Sequence, residues 1–291
     1  MPYTDMFSLE THDGDETSIS YRIAGDGPPL LLLHGFPQTN MMWHKIAPAL
    51  AERYTVVAAD LRGYGDSGHP ASDAAHATYS KRAMAADMAG LMRGLGHDNF
   101  MVAGHDRGGR VAHRLARDHG DCVTRIAVLD IAPTAAMYGQ TDMRFATAYY
   151  HWFFLIQPAP LPEQMIGADP EFYLRSKCGQ WGRTEGAITD EAFADYLRCF
   201  RRQETIHTMC EDYRAAATID LEHDAADSDA RLAMPLLAIW GEVGFVGSNY
   251  DVIAEWKKVA QDVSGTAVPG GHYCAEDCLL YTSDAADECL C

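Results

Sequence analysis

One short stretch, Asn99-Phe-Met-Val-Ala-Gly-His-Asp-Arg-Gly-Gly-Arg110, has the residue types and spacing of a reactive site. An apolar run passes into a turn of small residues that leaves one side chain, Asp106, at the head of a helix, as in a nucleophile elbow. A carboxylate there suits attack on an alkyl carbon better than acyl transfer. The alkyl ester it forms can then be hydrolysed by water that a histidine activates. Arg107 and Arg110 lie three positions apart at the start of the following helix, so both guanidiniums can face one pocket and fork onto a carboxylate. The competing reading of Asp106 is a helix N-cap.

These residues need a frame. From Pro29 onward, short apolar runs alternate with helical patterns, and Leu30 to Leu33, Thr55 to Ala59, Phe100 to Ala103, Arg125 to Leu129, Leu236 to Trp240 and Thr266 to Val268 read as strands. Continuous apolar runs suit a mostly parallel central sheet covered by helices on both faces, in which ligands sit beyond the carboxyl ends of the strands. The polar or glycine-bearing segments His34-Gly35, Asp60, His105-Asp106, Asp130, Gly241-Glu242 and Gly270-Gly-His272 all follow such runs and therefore gather at one sheet edge. Met42 to Arg53, Ser80 to Leu95, Arg107 to His119 and Asp251 to Asp262 read as helices. Between residues 134 and 229 the alternation stops, and the aromatic-rich stretch there reads as an inserted helical cap on a core formed by 1–133 and 230–291. Met143 to Gln157 is its most apolar part, and Pro158, Pro160 and Pro162 end it.

At 291 residues, 47% apolar and 22% charged, the chain has the composition of one large globular domain with an insertion. Its formal charge of −18 argues against nucleic acid or an anionic membrane as partner. An anionic small molecule is still compatible, because the far field is screened over about 8 Å. Two guanidiniums in contact outweigh it locally. No segment has the pattern of a signal peptide or a membrane span, so a cytoplasmic protein is expected. The eight cysteines are scattered or crowded at the end, read as reduced thiols, and make poor zinc signatures.

His34-Gly35-Phe36-Pro37-Gln38, Asp60-Leu-Arg-Gly-Tyr-Gly65, Gly104-His-Asp-Arg-Gly-Gly109 and Gly271-His272 together resemble the α/β-hydrolase fold. The finer pattern is similar to the fluoroacetate (haloacetate) dehalogenases: Asp106-Arg107 with Arg110, Tyr150-His151-Trp152 and Cys210-Glu-Asp-Tyr213-Arg214. That resemblance runs from about Asp5 to Glu276. It implies hydrolytic dehalogenation of a short 2-haloacid, with fluoroacetate or chloroacetate giving glycolate and halide. Asp106 would be the nucleophile, His272 the base that activates water, and Asp130 the acid that orients His272, with Glu242 and Asp251 as rivals for that last role. Arg107 and Arg110 would bind the substrate carboxylate, and His151, Trp152 and Tyr213 would surround the leaving halide. No cofactor or metal is implied, and the partners would be the small haloacid, water and a second copy of the chain in a homodimer.

The halide site has its own physical logic, since a hydrated, poorly leaving fluoride needs several aimed donors, and an imidazole, an indole and a phenol provide three. Phe36, beside a strand end, would shape the substrate slot. Its backbone N–H, with that of Arg107, would form an oxyanion hole. The bland reading of His151, Trp152, Tyr213 and Trp181 is cap core, and His105 reads as structural. Two other functions fit part of the pattern: a soluble epoxide hydrolase with the same Asp-His-Asp machinery, and a non-catalytic binding protein on the same fold. The epoxide hydrolases typically carry Trp where Arg107 stands. Residues 274–291 lack the expected closing amphipathic helix, and Cys278 to Glu288 resembles translated sequencing adapter, so this tail reads as non-native.

Overall fold

The structure is a computed structural model that describes residues 2–182, 184 and 186–277. Eight strands form one sheet in the order β1-β2-β4-β3-β5-β6-β7-β8. They are β1 (Ser8–Asp13), β2 (Ser18–Ala24), β3 (Pro29–Leu33), β4 (Thr55–Ala59), β5 (Phe100–His105), β6 (Val123–Leu129), β7 (Leu236–Gly241) and β8 (Val263–Val268). β1 and β2 form an antiparallel hairpin joined antiparallel to β4, and every other pairing is parallel. The sheet is thus mostly parallel, as the apolar runs imply.

The runs of buried residues in β3, β4 and β5 arise because helices cover both faces of the parallel centre. β1 is instead mostly exposed along its length, so no apolar run marks it in the sequence. The helix Lys81–Gly94 begins one residue inside its expected limit, because the Ser80 hydroxyl accepts from the Ala83 amide and caps it. The expected helix from Met42 to Arg53 is two short pieces, a 3-10 turn Asn40–Trp43 and a helix Ala47–Leu50. Pro48 explains the break, since it starts a helix well but cannot sit inside one. The helix expected over Asp251 to Asp262 is only Val252–Lys257. Met143 to Gln157 is likewise divided, into Met143–Ala148 and Tyr150–Leu155, with Tyr149 outside helical geometry between them.

Between β6 and β7 the described chain is all helical, in eight segments from Thr134–Gly139 to Ile219–Ala226. Tyr213 lies in the helix Gln203–Ala217 and His151 and Trp152 in Tyr150–Leu155, both packed over the carboxyl ends of β3 and β5. Cys122, Cys178, Cys199, Cys210 and Cys274 carry no disulfide. No helix among the described residues is long and apolar enough to cross a membrane. The tail over 278–291 lies outside the described residues.

Candidate active site

β5 and β6 are neighbours in register, His105 opposite Leu129, so the residues that follow them, Asp106 and Asp130, emerge side by side. Both have left-handed backbones, φ 43° at Asp106 and 50° at Asp130. Such a conformation costs a non-glycine residue on the order of 1–2 kcal/mol and has to be imposed by its surroundings. At Asp106 the close approach around Gly104 and Gly108 imposes it, because a Cβ at Gly104 would lie 2.4 Å from the Gly108 carbonyl and one at Gly108 2.4 Å from those of Leu33 and His34. The strand and helix can close on each other only without those methyls.

Asp106 heads the helix Asp106–Asp118, yet its carboxylate does not cap it. Its Oδ2 instead accepts from the Phe36 amide at 3.2 Å, so the side chain faces across to the end of β3. Burial pushes the carboxyl up, but the charges of His272, Arg110, His105 and Arg107 outweigh that and hold it below the ordinary carboxylate value. The group is a buried carboxylate that favours its ionised form.

Asp130 accepts from the Gly241 amide at 3.0 Å through Oδ1 and faces Nδ1 of His272 at 2.7 Å through Oδ2. Of its two rivals, Asp251 caps the helix Val252–Lys257 through the Ala254 amide, and Glu242 is exposed at the start of the loop after β7. Burial would lower the pKa of His272, but the hydrogen bond and charge of Asp130, with a contribution from Asp106, raise it above 6.5. The backbone of His272 is also fixed: its carbonyl faces His105 Nε2 at 2.8 Å and its amide donates to the Trp181 carbonyl at 3.2 Å. Burial pushes His105 down to about 3, so it is neutral and can donate to that carbonyl.

The segment after His272 is anchored despite the unusual tail. Glu276 accepts from Gln38 and, at 3.0 Å, from Tyr196 Oη, while Asp277 accepts from the Gly271 amide at 2.9 Å. These bonds tie the His272 turn both to the loop after β3 and to the inserted helices.

Arg107 and Arg110 are both buried, but their environments differ. Arg107 Nε and Nη2 grip the Asp212 carboxylate at 2.8 and 2.6 Å, and its plane lies over the Tyr213 ring at 4.2 Å. Burial would weaken the Arg107 charge; the charge and hydrogen bonds of Asp212 hold it well above the ordinary value. Arg110 has only neutral partners among its hydrogen bonds, Thr134 Oγ1 at 2.8 Å, the Ala132 carbonyl at 3.3 Å and Met137 Sδ at 3.1 Å. Burial lowers its pKa, partly opposed by Asp106. Arg107 Nη1 and Arg110 Nε have no hydrogen-bond partner among the described residues.

The same is true of His151 Nδ1, Trp152 Nε1 and Tyr213 Oη, all buried. A buried polar group without a partner costs about 1–3 kcal/mol, so three together need a reason. They are neighbours: the Tyr213 ring is 5.6 Å from His151 and 6.5 Å from Trp152, and Phe36 stacks on His151 at 5.9 Å and meets Tyr213 edge-on at 5.3 Å. Trp152 Nε1 and Tyr213 Oη are donors, and His151 Nδ1 is a third in the tautomer that carries its proton there; neighbouring donors without acceptors suit an anion. A cavity of about 260 Å³ next to this cluster is lined by His272, Tyr149, Trp181, Phe245, Gln180 and Arg144. Among the described residues no group of His, Cys, Asp and Glu could hold a metal ion.

The alpha/beta hydrolase fold model matches residues 28–275. The chain is 45% identical over 268 residues to a fluoroacetate dehalogenase of Burkholderia sp, covering 92% of this chain and 88% of that one. The chain belongs to the α/β-hydrolase family. This hydrolase is also 35% identical to a soluble epoxide hydrolase of Corynebacterium sp., over 91% of each chain. ALR0039 of Nostoc sp PCC 7120, an alpha/beta hydrolase of known crystal structure, matches with a TM-score of 0.98 and 55% identity over 99% of each chain.

Of three further residues around this candidate site, only Asp212 has no role assigned from the sequence. Asp212 sits within the motif Cys210-Glu-Asp-Tyr213-Arg214, where only Tyr213 is given a role from the sequence, and it is fully buried. His105 reads as structural because its side chain alternates away from Asp106, and that direction carries it to the His272 carbonyl. Trp181 reads as packing, and its ring lies 4.6 Å from His151 and 5.4 Å from His272.

Proposed function

We propose that this hydrolase cleaves the carbon–halogen bond of a short 2-haloacid, fluoroacetate or chloroacetate, releasing glycolate and halide. The observation that carries this reading is the set of unpartnered buried donors, His151 Nδ1, Trp152 Nε1 and Tyr213 Oη, grouped near an ionised Asp106. The similarity to the Burkholderia fluoroacetate dehalogenase supports it.

In this reading, the substrate carboxylate is bound by Arg107 Nη1 and Arg110, which sets its α-carbon before Asp106. An Asp106 oxygen attacks that carbon in line, the carbon–halogen bond breaks with its electron pair on the halide, and an ester remains. The three donors take up the halide charge as it develops, where preorganised hydrogen bonds count most. His272, held by Asp130, then removes a proton from water, and the hydroxide adds to the Asp106 carboxyl carbon. The Phe36 and Arg107 amides stabilise the oxyanion that results. Its collapse expels glycolate as the alkoxide, which takes the proton held by His272, and the Asp106 carboxyl left behind loses its proton to solvent and is again a carboxylate. No cofactor enters.

Halide release from fluoroacetate and chloroacetate by the parent protein and by Asp106→Ala tests the assignment. Release by the parent and none by the variant is expected; a folded parent that releases no halide from either acid refutes it. A second reading, epoxide hydrolysis, draws on the Corynebacterium relative and on Tyr213, whose hydroxyl could protonate an epoxide oxygen. Styrene oxide turned over in place of both haloacids would establish it.

The protein is further proposed to be a cytoplasmic homodimer. The free thiols of Cys122, Cys178, Cys199 and Cys210 agree with a reducing compartment, and Met143, Met165 and Phe172 expose apolar surface on the inserted helices, which a second copy could cover. Light scattering of the purified protein reads the oligomeric state directly.

A further inference from the structure

Arg107 is an unusual ligand-binding arginine, because most of its donors are already engaged. Nε and Nη2 are bound to the two carboxylate oxygens of Asp212, and Nη2 also donates to the Asp212 carbonyl at 2.9 Å. Only Nη1 is without a partner, in a side chain of 0% exposure. A guanidinium is a rigid planar fork, so fixing one edge fixes the direction of the remaining nitrogen.

Asp212 is itself strongly held. Its carboxylate accepts from Tyr64 Oη at 2.6 Å and from Lys81 Nζ, and Lys81 lies 3.8 Å from a second carboxylate, Asp220. Tyr64 follows β4 and Lys81 heads the helix after it, while Asp212 comes from the inserted helix Gln203–Ala217. The neighbour of Asp212 on that helix, Tyr213, covers the Arg107 plane. One helical segment therefore sets both the edge and the face of the arginine.

We infer that Asp212 is a positioning residue for the carboxylate subsite: it grips one edge of Arg107 so that Nη1 alone is presented to a small carboxylate, and it keeps the arginine off Asp106. This rests on the haloacid reading above. Arg107 follows Asp106 directly, and its charge acts on that carboxylate. Freed from Asp212, the guanidinium would find Asp106 as the next available anion and would tie up the nucleophile. Arg110, which has no carboxylate among its hydrogen-bond partners, then supplies the uncompensated charge that an anionic substrate needs, while Arg107 supplies direction.

The alternative is that Asp212 serves only as a structural counter-ion for Lys81. Two simple probes separate these possibilities: acetate, which has the carboxylate and no leaving group, and bromide, which reports on the donors at His151, Trp152 and Tyr213. Calorimetry on the full chain measures both. In Asp212→Asn the acetate Kd rises about tenfold or more, as for loss of a charge-assisted contact, while the bromide Kd stays within about twofold. Lys81→Met leaves the grip on Arg107 in place, and its acetate Kd stays within about twofold of the parent.

If Asp212→Asn does not fold, Asp212→Asn with Lys81→Met, which removes the unpaired ammonium, is measured in its place with the same expectation. Equal weakening of acetate and bromide, an unchanged acetate Kd in a folded variant, or a parent that binds no acetate each overturns the inference. A parent that binds acetate but releases no halide from haloacids removes the proposed reaction and leaves the Asp212 test standing on the acetate measurement.

Discussion

Nδ1 of His272 lies 2.7 Å from Oδ2 of Asp130, a contact between residues 142 positions apart in the chain. It holds the ring through Nδ1, which leaves Nε2 as the nitrogen that would act on water in the proposed reaction. Because Asp130 stabilises the imidazolium, the pKa of His272 lies above 6.5 despite the opposing effect of burial. A base must be deprotonated, so ester hydrolysis rises with pH through that pKa. In Asp130→Asn the stabilising charge is gone, and the acid limb of the kcat profile moves to lower pH while the rate falls on the order of 10³–10⁴-fold. A limb that stays in place in the variant would sink the Asp130 assignment.

The oxygen of glycolate should come from Asp106 in the first turnover. With enzyme in excess over chloroacetate in H₂¹⁸O, water attacks the Asp106 carboxyl carbon, so the label enters the Asp106 peptide and not the product. Mass spectrometry of the digested protein reads this. Label in the first-turnover glycolate would mean that water attacks the substrate directly.

Tyr213→Phe removes one of the unpartnered donors without emptying space. Activity with fluoroacetate is expected to fall on the order of 10²-fold, and less with chloroacetate, whose leaving group is weaker as an acceptor. Stability should hold or rise, because a buried hydroxyl without a partner disappears from the folded state. Thermal melting and halide release on the same samples check both halves. A variant that melts much earlier and keeps full defluorination would place Tyr213 in the packing instead of the halide site.

Gly108→Ala puts a methyl against the backbone carbonyls of Leu33 and His34, 2.4 Å away. Backbone at that distance cannot step aside as a flexible side chain would, so the cost is about 3 kcal/mol and the elbow is displaced. Denaturant unfolding measures the loss. A fully active variant of unchanged midpoint would contradict the close approach of helix and strand.

Much of this architecture was open to inspection in the sequence, for a physical reason. Strands at the centre of a parallel sheet are buried on both faces, so β3, β4, β5 and β7 appear as unbroken apolar runs. The turn at Asp106 is similarly legible, because a tight strand-to-helix junction admits only small residues, and Gly104, Gly108 and Gly109 mark it. β1 and β2 were not visible, since β1 is an exposed edge strand and β2 mixes polar with apolar residues, so neither carries such a run. Nor was the break at Tyr149, where tertiary packing overrides a continuous helical pattern.

What the sequence determined by itself was the chemistry on offer: a carboxylate at an elbow, two arginines one helical turn apart, a histidine after the final strand and a set of donor side chains. These are local facts, fixed by residue type and short spacing. Tertiary structure alone decided which partner each group has. Asp130, and not Glu242 or Asp251, meets His272 because β6 lies next to β5 and Gly241 holds its carboxylate. Asp212 meets Arg107 because an inserted helix more than a hundred residues away in the chain folds back over the elbow. A charge in a sequence says nothing of whether water or another charge will face it, and burial makes that choice decisive.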